Sequence, residues 1–245
     1  VVGSSFLPPP VLFPTPPISA FVPFGYHRFL HSIATLNPLR LRHLGLYDNL
    51  PSALEVAAIV DLYSSHMLYC VSDGSFNPKL GRGSHAWVMS DSSMSSRLIG
   101  AGPVDGDPRL ISAYRPELQG IPANLIMLNI LRTSYPLPDC ALVNLVCDNE
   151  AATFELQKIV QDSAYRLDPQ QTDCDILLEI QNEVHSCTAN FSVIWIEGHQ
   201  EDNVAWSELS FLAKLNIDCD TRAKAFLKNT VLSTLPASPV VLAQE

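Results

Sequence analysis

The run Ala141-Leu142-Val143-Asn144-Leu145-Val146-Cys147 is apolar almost throughout. This is the signature of a strand covered on both faces, so the chain is expected to layer helices on a sheet. Upstream, Met67 to Asp73 is an apolar run ending in a turn and reads as a strand. Ser84 to Ser90 and Arg97 to Ala101 read as the next two, separated by the serine-rich turn Asp91 to Ser96. Connections this short make the three an antiparallel meander. A helical pattern then runs from Glu117 to about Thr133, carried by Leu118, Ile121, Leu125, Leu128 and Leu131. Gly120 and Pro122 interrupt its start, which predicts a kink or a displaced first turn. Glu150 to Gln161 and Gln170 to Cys187 read as helices, Phe191 to Ile196 as a strand, and Val204 to Lys228 as mostly helical. The order β-β-β-α-β-α-α-β-α predicts an α/β fold. Its mixed five-stranded sheet has three antiparallel strands, then parallel additions, and is flanked by helices.

Residues 1–50 differ in character. Pro8-Pro9-Pro10, Pro14, Pro16-Pro17 and Pro23 oppose regular structure, and only Arg28, Arg40, Arg42 and Asp48 carry charge. An apolar, extended arm or linker is expected there. Ser52-Ala53-Leu54-Glu55 fits a capping box opening a short helix within residues 51–65. Residues 66–230 form the main domain on this reading, and 231–245 a C-terminal tail. Val1 stands where an initiator Met would, with no basic region after it, so a fragment of a longer polypeptide without a secretory signal is expected. No apolar stretch reaches the ~18 residues of a membrane span.

The six cysteines form no Cys-x-x-Cys pair and have no finger-like histidine spacing, which argues against zinc. Cys70, Cys140 and Cys147 lie in or beside strand-like runs, as buried free thiols do, favouring an intracellular compartment, nucleus or cytoplasm. The net charge of −10 argues against a broad basic surface for nucleic acid. It leaves room for a nuclease whose negative charge is concentrated where divalent ions bind.

Several carboxylates fall at ends of elements. Asp73 closes the first strand, Asp148 the fourth, Glu117 begins the helix between them, and Asp220 lies in the last helix. Strand ends of an α/β sheet commonly form the functional crevice. Each position also has an ordinary account: Asp-Gly is a turn signal, Glu117 suits a helix start, Asp148 precedes a helix as an N-cap does, and Asp220 sits on an amphipathic helix.

Taken as an ordered set, these residues resemble the ribonuclease H family over roughly residues 66 to 230. The resemblance rests on Val71-Ser72-Asp73-Gly74-Ser75-Phe76 and Tyr114-Arg115-Pro116-Glu117-Leu118. It rests also on Leu145-Val146-Cys147-Asp148-Asn149, Val193-Ile194-Trp195-Ile196-Glu197-Gly198-His199, and Asn216-Ile217-Asp218-Cys219-Asp220-Thr221-Arg222-Ala223. It implies a ribonuclease H-like fold and metal-dependent cleavage of the RNA strand of RNA–DNA hybrids. By the resemblance, Asp73, Glu117, Asp148 and Asp220 hold two magnesium ions, with manganese a substitute. His199, on a mobile loop, assists proton transfer or product departure. Ser75, Asn149 and Asn216 are expected on the substrate side, Asn216 alternatively behind the metal ligands.

The departures narrow the resemblance. The segment from His199 to Asp220 is longer than in compact cellular members and looks like domains attached to retrotransposon reverse transcriptases, which makes such a polymerase the expected partner. No Tyr-x-Asp-Asp is present, and no basic handle is evident. Two alternatives stay open: an integrase-like strand-transfer domain using Asp73, Asp148 and Glu183, and a non-catalytic domain bracing a polymerase.

Overall fold

A five-stranded sheet of order β3-β2-β1-β4-β5 organises the computed structural model, which describes residues 24–46, 50–107 and 109–231. β1 (Leu68–Asn77), β2 (Arg82–Ser90) and β3 (Arg97–Pro103) are the antiparallel meander; β4 (Leu142–Cys147) and β5 (Asn190–Trp195) are added in parallel. The mixed architecture expected from the sequence is the one observed.

Side chains alternate between the two faces, and each face has its own core. Val71, Ala86, Val88 and Val146 pack against Leu215, Cys219 and Ala223 of α7 (Phe211–Val231). Cys70, Trp87, Met89, Leu145 and Cys147 join the larger core on the opposite face. That core contains α4 (Tyr114–Ser134), which is buried on nearly every side. A helix enclosed on all sides carries no single apolar stripe. The first turn of α4 is displaced from the expected Glu117 to Tyr114, so Pro116 falls in that turn, where a missing N–H costs nothing. Pro122 is buried within it.

Three further differences from the sequence reading have local causes. Residues 24–46, expected as extended arm, form α1 (Phe24–Ala34) and α2 (Pro38–Leu44). Phe29 and Leu44 are fully buried, so this part of the arm belongs to the core. The end of α2 lies on the meander, where His85 Nε2 meets the His43 carbonyl at 2.8 Å and Trp87 Nε1 donates to the Leu44 carbonyl at 2.9 Å. These are carbonyls that a helix end leaves without partners. Gly100 makes the approach possible: a Cβ there would lie 2.1 Å from the Leu44 carbonyl oxygen. Residues 1–23 lie outside the described residues. Second, α7 starts at Phe211 rather than Val204, because Ser210 Oγ accepts from the Ala213 N–H at 3.1 Å and caps it. Third, β1 continues past Asp73 to Asn77, so Asp73 is mid-strand.

The remaining helices follow the pattern. α3 (Ala53–Ser64) has the expected capping box, with Ser52 N donating to Glu55 Oε2 at 2.7 Å and Glu55 N to Ser52 Oγ at 3.3 Å. α5 spans Glu150–Gln161, and α6 spans Cys174–Ser186, shorter than expected.

Candidate active site

β1 pairs with β4 only from Leu68↔Val143 to Val71↔Val146, then continues beside β2 alone. The candidate site stands where the two strands part. Strand alternation puts Asp73, two residues after Val71, and Asp148, two after Val146, on the face that carries α7. α7 answers with Asn216 and Asp220, one turn apart. Asn216 Nδ2 lies 3.0 Å from Asp148 Oδ2 and 3.3 Å from Asp73 Oδ2. Its Oδ1 is buried without a partner.

Glu117 arrives from α4 on the opposite face. Gly74 admits it: a Cβ there would lie 2.5 Å from both Glu117 N and the Pro116 carbonyl carbon. The Gly74 N–H donates to Glu117 Oε2 at 3.1 Å. Asp-Gly is therefore no turn here; the glycine makes room for the helix that brings the second carboxylate. Nor is Asp148 a cap. Asn149 does that work, its Oδ1 accepting from the Ala152 N–H at 3.0 Å, which leaves the Asp148 carboxylate for the site. Gly198 closes against it, since a Cβ would stand 2.5 Å from Asp148 Oδ2.

The electrostatics follow from crowding. Burial, then the charges of Glu117, Asp148 and Asp220, push the Asp73 carboxyl far above the usual carboxylate range. Burial and Asp148 raise Glu117. Burial also raises Asp148, against the lowering effect of its Asn216 hydrogen bond. Such a cluster needs positive charge. Within the protein, Lys224 Nζ supplies one, 2.6 Å from Asp220 Oδ2.

The donor set suits hard cations. Carboxylate oxygens of this kind hold magnesium or manganese. Glu117 and Asp148, with Cys147, present ligand atoms within 4.8 Å of one another, as do His199, Glu201 and Asp220. His199 is exposed at the rim, with left-handed φ of 53° and Nδ1 at 3.7 Å from Glu201 Oε1.

The other expected residues fall as follows. Ser75 shares the Asp73 side of β1 and is partly exposed. Asn149 spends its Oδ1 on the cap, and Asn216 is buried with its amide on Asp148 and Asp73. Glu183, the third carboxylate of the strand-transfer alternative, is buried elsewhere, paired with Arg40 and 2.8 Å from Asn129 Nδ2. Sequence reasoning missed Lys224 and Glu201. The i,i+4 spacing of Asp220 and Lys224 was a usable signal for the first; the second depends on a loop path that spacing does not reveal.

No protein-family model matches the chain, and no curated protein matches it. Among solved structures it is similar to the N-terminal RNase H domain of rv2228c from Mycobacterium tuberculosis, solved as a fusion with maltose binding protein. The two are 10% identical, with a TM-score of 0.46, over 69% of this chain and 98% of that chain. It is also similar to RNase H1 from the halophilic archaeon Halobacterium salinarum NRC-1, 11% identical, with a TM-score of 0.43, over 66% of this chain and 98% of that one. No described helix is long and apolar enough to cross a membrane.

Proposed function

We propose that the chain is a ribonuclease H-type endonuclease that hydrolyses the RNA strand of RNA–DNA hybrids. The observation that carries this reading is the convergence of Asp73, Glu117, Asp148 and Asp220 from both faces of the sheet, with Asn216 joining two of them. Mutually repelling buried carboxylates cost stability unless cations sit among them, so a purely structural domain has no use for the set.

Asp73, Glu117, Asp148 and Asp220 would hold two magnesium or manganese ions. When bound, such ions offset phosphate charge and activate water for in-line attack. The chain's own residues position and screen. Asn216 keeps Asp73 and Asp148 aimed to one side, and the Gly74 N–H fixes Glu117. His199, exposed at the rim, accepts or returns a proton at its imidazole as the cut strand leaves. RNA is distinguished by its 2′-hydroxyls and A-like shape rather than by sequence. With a net charge of −10, the chain holds substrate weakly alone. That fits an intracellular retroelement polyprotein in which a reverse transcriptase supplies the grip, a reading supported by the long segment from His199 to Asp220.

The test is a substrate panel of labelled RNA–DNA hybrid, duplex DNA and single-stranded RNA, with the purified chain and magnesium or manganese. The expected result is metal-dependent cutting of RNA in the hybrid alone. An intact hybrid, beside a control nuclease that cuts it, overturns the proposal and favours the polymerase-bracing alternative.

A further inference from the structure

Beside the carboxylates, on the outer edge of the sheet, the structure exposes two large aromatic rings that the mechanism does not use. Trp195, the last residue of β5, is 50% exposed, and Phe154 on α5 is 57% exposed. Together with Glu150, Ala151, Thr153 and Gln157 they line an open cleft of about 490 Å³. Its position is coupled to the site: Trp195 pairs with Cys147 in register, and its Nε1 donates to the Asp148 carbonyl at 2.9 Å. One bond thus fixes both the ring and the main chain that carries a central carboxylate.

We propose that this cleft is a base-stacking subsite, which takes an unpaired nucleotide of the substrate next to the Asp148 side of the carboxylate cluster. The inference rests on the nuclease reading above. Aromatic faces take any base without sequence preference. Gln157 adds an amide for a base edge, having both a donor and an acceptor. Lys158 Nζ lies over one face of the Phe154 ring, 4.1 Å from its centroid, with its charge paired to Glu155 Oε1 at 2.7 Å, and so holds that ring in place. Glu150 in the lining repels phosphate, so the cleft takes the base rather than the backbone. Bases within a paired hybrid are stacked and out of reach. The subsite therefore selects hybrids with a single-stranded extension, flap or junction near the cut.

Two readouts separate this inference from the reading beneath it. In a Trp206→Phe background, Trp195 is the exposed tryptophan, since Trp87 is buried. A short oligo-dT titrated with calcium in place of magnesium should quench its fluorescence, and Phe154→Ala should weaken that binding about tenfold. Cleavage should favour overhanging over blunt hybrids by about tenfold, and the ratio should fall to about one in Phe154→Ala and Trp195→Ala. The control Leu54→Ala, far along the chain on α3, should keep the ratio. Cutting without overhang preference, or quenching unaffected by Phe154→Ala, overturns the subsite and leaves the nuclease reading standing. Quenching without any cutting overturns the nuclease reading instead.

Discussion

Asn216 Nδ2 stands 3.0 Å from Asp148 Oδ2, and the same amide nitrogen reaches Asp73 Oδ2 at 3.3 Å. A single buried side chain of α7 thus sets the spacing of carboxylates from two strands. Asn216→Ala should leave the fold intact and raise the magnesium concentration for half-maximal cleavage by roughly 10- to 100-fold, the usual cost of losing a group that orients metal ligands. A magnesium titration of hybrid cleavage reads this. An unchanged requirement would show that Asp73 and Asp148 are held by other means.

Gly74→Ala should be harmful out of proportion to one methyl group. The new Cβ meets main-chain atoms of Pro116 and Glu117, which do not rotate away. Denaturant unfolding should show a loss of about 1–3 kcal/mol, typical of overpacking, together with loss of cleavage. Wild-type stability in this variant would mean that α4 is free to shift.

The metal-free protein should lose stability as pH rises. Asp73, Glu117 and Asp148 all have folded-state pKa values above their unfolded ones. Their contribution is full below the ordinary carboxylate range near pH ~4 and is lost as pH climbs through the folded values. Magnesium offsets the repulsion, so the rise in Tm on adding it should grow from pH 5 to pH 8. The same increment at both pH values, or an unchanged profile in Asp73→Asn, would contradict this.

Phe29→Ala tests whether the N-terminal helices are part of the core. Phe29 is fully buried among core residues. Chemical denaturation should show a cost of about 3–5 kcal/mol. An effect below about 0.5 kcal/mol, as for surface positions, would mean that α1 is detached in solution.

How much of this was legible in sequence depended on whether the cause was local. The meander, the double-covered strand Leu142–Cys147 and the Ser52/Glu55 box were readable because alternation and capping act within a few residues. The α1–α2 packing was not. It depends on His85 and Trp87 of β2 meeting carbonyls some 40 residues earlier, over a glycine of β3. The carboxylates were placed by motif and strand position, yet the reason for Gly74 and the division of labour between Asp148 and Asn149 needed the tertiary structure. Asn216, expected at the substrate or behind the metal ligands, is buried against Asp73 and Asp148 because α7 presses that face onto the sheet.

The decisive experiment is side-by-side cleavage of a labelled RNA–DNA hybrid by the wild-type chain and Asp148→Asn across a magnesium titration. The wild type should cut the RNA strand in a magnesium-dependent way, and the variant should lose at least about a hundredfold at every concentration. Equal cutting by both proteins, or none by either beside an active control, would contradict the proposed nuclease activity.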